Sequence, residues 1–257
     1  MRRRRSDIKE EPAEQIEKLL SDIEAWQPRT ELGRKVKSGE ITDIDFILDS
    51  GLKILEPEIV DKLLPGMESE LLLIGQSKGK FGGGQRRVFK QTQKKTAEGN
   101  RPQFATVVVI GNKNGYVGLG NGKSRETVPA REKAIKNAKK NLFKIRRGTG
   151  SWEDSSTEPH SLPFAVNGRC GSVRLRLMPA PRGSGLVAHK EVQKILRLAG
   201  VSNAFSKTFG HVGTTTNLIK ACEAALRQLM RVKVSSSLNV AEGAKRTLRQ
   251  EFQDVMP

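Results

Sequence analysis

An α+β fold is predicted for this chain by three observations. Residues 55–147 read in the order helix, strands, helix, with apolar residues alternating in the strand stretches and recurring every three to four residues in the helical ones. A polar stretch containing Gly and Ser, at 148–160, separates that block from a second run of strands and helices. The length, 257 residues, suits two compact domains, and the 36% apolar content falls in blocks able to form small cores. The predicted organisation is a helical extension over 1–54, a first α+β domain over 55–147, a linker over 148–160, a second α+β domain over 161–234 and a tail over 235–257.

The elements follow in order. After Arg2 to Arg5, the residues Ile16, Leu19, Leu20, Ile23 and Trp26 form one helical stripe opposite an acidic face. Trp26, on that stripe, reads as a core or docking anchor. Thr30 caps a short helix that stops at Gly39; residues 42–48 form a second, and residues 57–64, opened by Pro57, a third. Such an arm needs a surface to lie on. Residues 71–74 begin a β-like stretch, and residues 75–87 are too rich in Gly and charge to fold alone. Strands are expected at 88–93, 104–110 and 116–119, with a basic loop at 94–101 and a tight turn at 111–115. A helix opens at Thr127 and runs to about Phe143, burying Ala130, Ala134, Ile135, Ala138 and Leu142 beside a cationic face of Lys133, Lys136, Lys139 and Lys140. Beyond the linker, strands are expected at 164–170, 173–178 and 204–209, and helices at 189–199 and 214–232.

Charge narrows the function. There are 46 Lys and Arg against 28 Asp and Glu, a net +18. Residues 76–150 alone hold 19 cations against three acids, Glu98, Glu126 and Glu132. A surplus concentrated through strands and helix alike implies a polyanionic partner. No run of 18 apolar residues is present, so no membrane span is expected, and the start shows no secretory signal. Cys170 and Cys222 read as reduced, buried thiols in a cytoplasmic protein.

Two glycine-rich stretches invite a nucleotide-binding reading. GLGNGKS at 118–124 ends like a P-loop, but a P-loop needs four residues between its glycines, and Gly118 and Gly122 enclose three. The stretch PRGSGLVA at 181–188 resembles the phosphate loop of the small-molecule kinases that include galactokinase and homoserine kinase. Val187 and Ala188 stand where those kinases carry two serines, so the likeness speaks for fold rather than reaction. His160, His189 and His211 do not sit at ligand spacing from one another or from a cysteine. No catalytic site, metal or cofactor is expected. With one Tyr, two Trp and nine Phe, stacking on single strands is not favoured over structured RNA read through its phosphates and shape.

Several strings then converge on one family. GYVGLGNGKSRE at 115–126 before a basic, Ala-rich helix resembles the signature of the fifth protein of the small ribosomal subunit. The string at 168–188, LAGVS at 198–202 and KTFG at 207–210 are similar to that family's second domain. WQPRTELG at 26–33, EPEIVD at 56–61 and RGTGSW at 147–152 resemble its archaeal and eukaryotic branch. The resemblance covers residues 26–232. It implies a double-stranded-RNA-binding-like first domain of a helix, a three-stranded antiparallel sheet and a helix, and a second domain sharing the kinases' fold. It implies a structural role on small-subunit rRNA where body and head join, with the third, fourth and eighth small-subunit proteins as neighbours. It further implies a place beside the channel by which mRNA enters, and an influence on translational accuracy.

Candidate rRNA contacts follow. Lys94, Lys95, Gly99 and Arg101 correspond to the family's rRNA-contacting hairpin loop. Lys113, Lys123, Arg125, Lys133, Lys136, Lys140, Arg146, Arg147 and Arg182 carry the basic charge around it. Gly118, Gly120 and Gly122 alternate along a strand and leave one face bare. That bareness serves either a local backbone need or the close approach of rRNA or a neighbouring protein.

Overall fold

The computed structural model of the chain describes residues 25–77, 79, 86–150, 158–232 and 240–241. The Arg2 to Arg5 run, the Ile16 to Ile23 part of the amphipathic stripe and the tail beyond 241 lie outside the described residues.

Within residues 26–67 three short helices, α1 (Glu31–Ser38), α2 (Ile44–Asp49) and α3 (Glu58–Leu63), precede a five-stranded antiparallel sheet. Its strands are β1 (Glu68–Leu71), β2 (Lys90–Thr96), β3 (Gly99–Gly111), β4 (Tyr116–Ser124) and β5 (Leu142–Lys144), with α4 (Thr127–Lys140) between the last two. The helix, strands, helix order stands, with two strands more than the three expected. One is β5. The helix was expected to reach Phe143, but Asn141 leaves helical geometry and the next three residues pair with β4 at Tyr116 to Gly118. The other is β1, which lies end to end with β2 along one edge of the 13-residue β3. Residues 75–87 are not left loose at their ends: Gly75 N–H donates to Arg87 O (2.8 Å) and Arg87 N–H to Gln76 O (3.1 Å).

Alternation along β3 gives the sheet two buried faces. Val108 and Ile110 look toward Ala134 and Ala138 of α4, and the helical arm covers the same side with Trp26, Val36, Ile44, Ile47 and Ile59. The surface the arm needs is thus the chain's own. Val107, Val109, Val117 and Leu119 look the other way, into a core shared with the second half of the chain. There, β7 (Val166–Cys170), β8 (Val173–Pro179), β10 (Ala204–Phe209) and β9 (Leu186–Val187) form a sheet in the order β7-β8-β10-β9. Helices α5 (Lys190–Leu198) and α6 (Thr215–Arg231) fill the space between the sheets. Polar contacts reinforce the apolar join. The Glu191 carboxylate, 3% exposed, accepts from Leu73 N–H (2.8 Å), and Lys194 Nζ donates to Leu71 O (3.1 Å). A short pair, β6 (Arg147–Gly148) with β11 (Val240–Ala241), completes the fold.

Glu56 fastens the start of the arm. Its carboxylate accepts from Trp26 Nε1 (2.8 Å), Arg29 N–H (3.0 Å) and Thr30 N–H (2.6 Å). Burial alone would raise its pKa, but these hydrogen bonds outweigh it and hold the group below the usual 4.5. A carboxyl with a lowered folded pKa contributes stability that is fully present above its unfolded value and lost as pH falls through the folded one. Glu56→Ala is expected to cost about 2 kcal/mol at neutral pH, measured by urea denaturation. Limited proteolysis should then cut faster at Arg29.

Candidate nucleic-acid interface

The basic loop expected at 94–101 is instead the end of a regular hairpin. Lys94 pairs with Arg101, Lys95 with Asn100 and Thr96 with Gly99, so only Ala97 and Glu98 form the turn. Gly99 sits at φ 112, open to a residue without a Cβ, and Thr96 Oγ1 donates to its carbonyl (2.7 Å). Residues Lys90 to Lys95 are all exposed, and Arg101 forms an ion pair with Glu98 across the turn. Directly opposed residues share a face of a sheet. Lys94 and Arg101 therefore project to one side and Lys95 to the other. Two residues along at each step, the first side also carries Lys90, Ala105 and then Lys123, one beside the next across β2, β3 and β4. Lys90 was not among the expected contacts; the strand pairing, which no spacing in the sequence reveals, brings it beside Lys123.

Beyond β4, Arg125 is exposed just before α4, and Lys133, Lys136 and Lys140 are exposed along that helix. Among the described residues none of Lys90, Lys94, Lys95, Lys123, Arg125, Lys133, Lys136 and Lys140 has an acidic partner. Cations on the arm's side are treated differently. Lys139 pairs with Asp61 (2.6 Å) and Lys144 with Asp49 (2.9 Å), while Lys113 pairs with Glu68. Acids of the arm and of β1 thus neutralise the inner rim of the basic block, and among the described residues those eight cations of the hairpin, the end of β4 and the outer side of α4 are left unmatched.

The glycines of β4 belong to neither rim. Their bare face is occupied by α4 itself: a Cβ on Gly118 would stand 2.3 Å from Ala138 O, one on Gly120 2.2 Å from Ala134 O and Ala138 N, and one on Gly122 2.0 Å from Ala130 O. Sheet and helix approach so closely that only hydrogen fits between. The expectation that rRNA or another protein lies against Gly118, Gly120 and Gly122 is therefore corrected. These residues act by drawing the cationic helix onto the sheet.

Other expected contacts lie elsewhere. Lys113, in the β3–β4 turn, is at the opposite end of β3 from the hairpin tip, roughly 40 Å away at the rise of a strand. Arg146, half-buried, donates to Val232 O (2.8 Å), and Arg182, on the loop before β9, pairs with Glu158 (3.0 Å). Arg147 is 7% exposed, and its Nη1 donates to Lys113 O (3.2 Å) and Gly200 O (3.3 Å). Burial lowers its pKa, although a guanidinium keeps its proton. This corrects its expected role: Arg147 joins the two halves of the chain and cannot reach an external phosphate without leaving them. Arg147→Ala is expected to cost about 2 kcal/mol by thermal or urea unfolding, with the RNA affinity of the folded protein unchanged.

The stretch 181–188 presents no free phosphate cradle. Ser184 Oγ donates to Pro181 O (2.7 Å), and Gly185 N–H donates to Asn203 Oδ1 (2.9 Å). Cys222 is fully buried in α6, where burial pushes its thiol up to about 12.

Similarity to known proteins agrees with this geometry. Residues 85–146 match the family described as ribosomal protein S5, N-terminal domain, and residues 168–242 match ribosomal protein S5, C-terminal domain. The chain is 47% identical over 215 residues to small ribosomal subunit protein uS5 of Nanoarchaeum equitans, covering 84% of this chain and 92% of that protein. It is 48% identical over 213 residues to the uS5 of Methanococcus maripaludis (83% and 88% covered) and 48% identical over 210 residues to that of Aeropyrum pernix (82% and 89%).

Proposed function

The chain belongs to the ribosomal protein S5 family, and from that premise we propose that it is a structural, non-catalytic constituent of the small ribosomal subunit that holds rRNA against its first sheet. The observation that carries this reading is the pattern of paired and unpaired charge within the basic block. Eight exposed cations without acidic partners among the described residues line the β2–β3 hairpin, the end of β4 and the outer side of α4, while acids of the arm and of β1 neutralise those behind them. A surface of that kind gains affinity by releasing counterions from phosphates, without reading bases. The hairpin suits insertion between RNA segments, since its two strands carry cations on both faces: Lys94 and Arg101 on one, Lys95 on the other.

In the assembled subunit the chain takes the position typical of its family, where body and head join. The third, fourth and eighth small-subunit proteins are its neighbours there, and it lies beside the channel by which mRNA enters, so that it supports assembly and translational accuracy. The domain limits carry over to this reading: 1–54 as the helical extension, 55–147 as the RNA-binding domain, 148–160 as the linker, 161–234 as the second domain and 235–257 as the tail. Co-sedimentation tests it. Full-length protein should travel with small-subunit particles in moderate salt; protein that stays in the supernatant while still binding duplex RNA would mark a free RNA-binding regulator instead.

A further inference from the structure

The second sheet buries one face on α5 and α6 through Val173, Leu175, Leu177 and Ala204. Its other face is covered by nothing among the described residues. Strand pairing sets that open face in rows: Asn167, Arg176 and Lys207 side by side, then Arg169, Arg174 and Phe209, with Met178, Phe205 and Val187 at the opposite end. Arg169, Arg174, Arg176 and Lys207 are exposed, Phe209 is 48% exposed and Val187 52%. Lys207 Nζ sits 5.6 Å from the centre of the Phe209 ring. No acid interrupts the surface: from residue 159 to 222 the sequence holds nine Lys and Arg and one acid, Glu191, whose carboxylate is buried against the first sheet.

We propose that this open sheet face binds an unpaired segment of the small subunit's own rRNA, with Phe209 and Phe205 stacking on bases and Arg169, Arg174, Arg176 and Lys207 holding the phosphates. The chemistry is that of a single-strand platform, in which aromatic rings on a sheet meet base faces while cations follow the backbone. Phe205 and Phe209 are four residues apart on one strand, roughly 13 Å, so one strand of RNA can reach both. A duplex cannot use the rings, because its base faces are already stacked. An acidic protein would satisfy the arginines but would not call for two rings on the neighbouring strand, one on either side of Lys207. The occupant is a permanent one: aromatic and aliphatic groups left open on a sheet favour non-specific association unless they stay covered, and rRNA is present throughout the particle's life. The site is distinct from the hairpin and α4 surface, so either can fail without the other.

Two measurements with the full chain test it. The first is fluorescence anisotropy with a single-stranded octauridylate and, separately, with an RNA duplex. Phe209→Ala should weaken octauridylate binding about tenfold and leave duplex binding unchanged. Phe209 is half-exposed, so the fold survives the change, and a circular-dichroism melt matching that of the unmodified protein verifies this. The second is ultraviolet crosslinking of purified small subunits without mRNA, which should join rRNA nucleotides to the peptides containing β8 and β10. Equal octauridylate affinity for the variant would overturn the proposal. So would crosslinks to these peptides that appear only when mRNA is added, or displacement of octauridylate from them by an acidic peptide at equal charge.

Discussion

Replacing Gly120 by valine is expected to abolish the folded state of the free protein or lower its melting temperature by 10 °C or more. The nearest atoms to a new Cβ would be backbone, Ala134 O and Ala138 N at 2.2 Å, so no side chain can swing aside. Relief requires α4 to lift from β4, and with it the apolar contact of Ala134 and Ala138 with Val108, Ile110 and the arm. Overpacking of this kind costs about 3 kcal/mol or more, and each kcal/mol is about 2–4 °C at this chain length. Gly213→Ala supplies the contrast. Its added Cβ would meet nothing closer than the His211 ring at 3.7 Å, so that variant should melt within about 2 °C of the parent. A thermal melt followed by circular dichroism separates the two. A Gly120→Val protein that folds normally would mean that α4 does not rest on β4 as described.

The glycine result also shows where the sequence stops being readable. Alternation at 118, 120 and 122 does announce that something approaches one face of a strand. It does not say what, because the approaching atoms belong to a helix that begins only at Thr127 and whose packing angle no local pattern encodes. The Thr30 cap, the Gly39 stop and the cationic run of α4 were legible, since each depends on neighbours within a few residues. The alternation of Val173, Leu175 and Leu177 was legible for the same reason, as was the family from its ordered strings.

What escaped depends on pairing between distant segments. Residues 94–101, the end of the hairpin, look like a loop in the sequence because Lys94, Lys95 and Arg101 are poor strand formers, and only the ladder to β3 makes them strand. Arg147 looked like one more cation in a basic run. Its burial follows from two carbonyls, Lys113 O and Gly200 O, brought to it by different halves of the chain. The acidic arm read as a segment in want of a surface; the ion pairs of Asp49 and Asp61 with Lys144 and Lys139 explain why its charge opposes that of the block it covers. The open face of the second sheet was half legible, as Arg174 and Arg176 alternate with buried leucines. Phe205 and Phe209 joined them only through the register of β10 on β8.

The most direct test of the proposed rRNA surface is the salt dependence of rRNA binding by the full chain and by a variant with Lys94, Lys95, Arg101, Lys123 and Arg125 all changed to Ala. All five side chains are exposed, and only Arg101 holds an ion pair, so the fold should be kept. Each phosphate neutralised contributes about −0.9 or less to the slope of log affinity against log salt. The variant's slope should be shallower by about 3 to 4, and its affinity at 100 mM salt lower by about a hundredfold or more. Lys113→Ala, at the far end of β3, should leave the slope where it was. A five-fold variant with the slope of the parent would contradict the assignment, and would place the rRNA contact away from the hairpin and the end of β4.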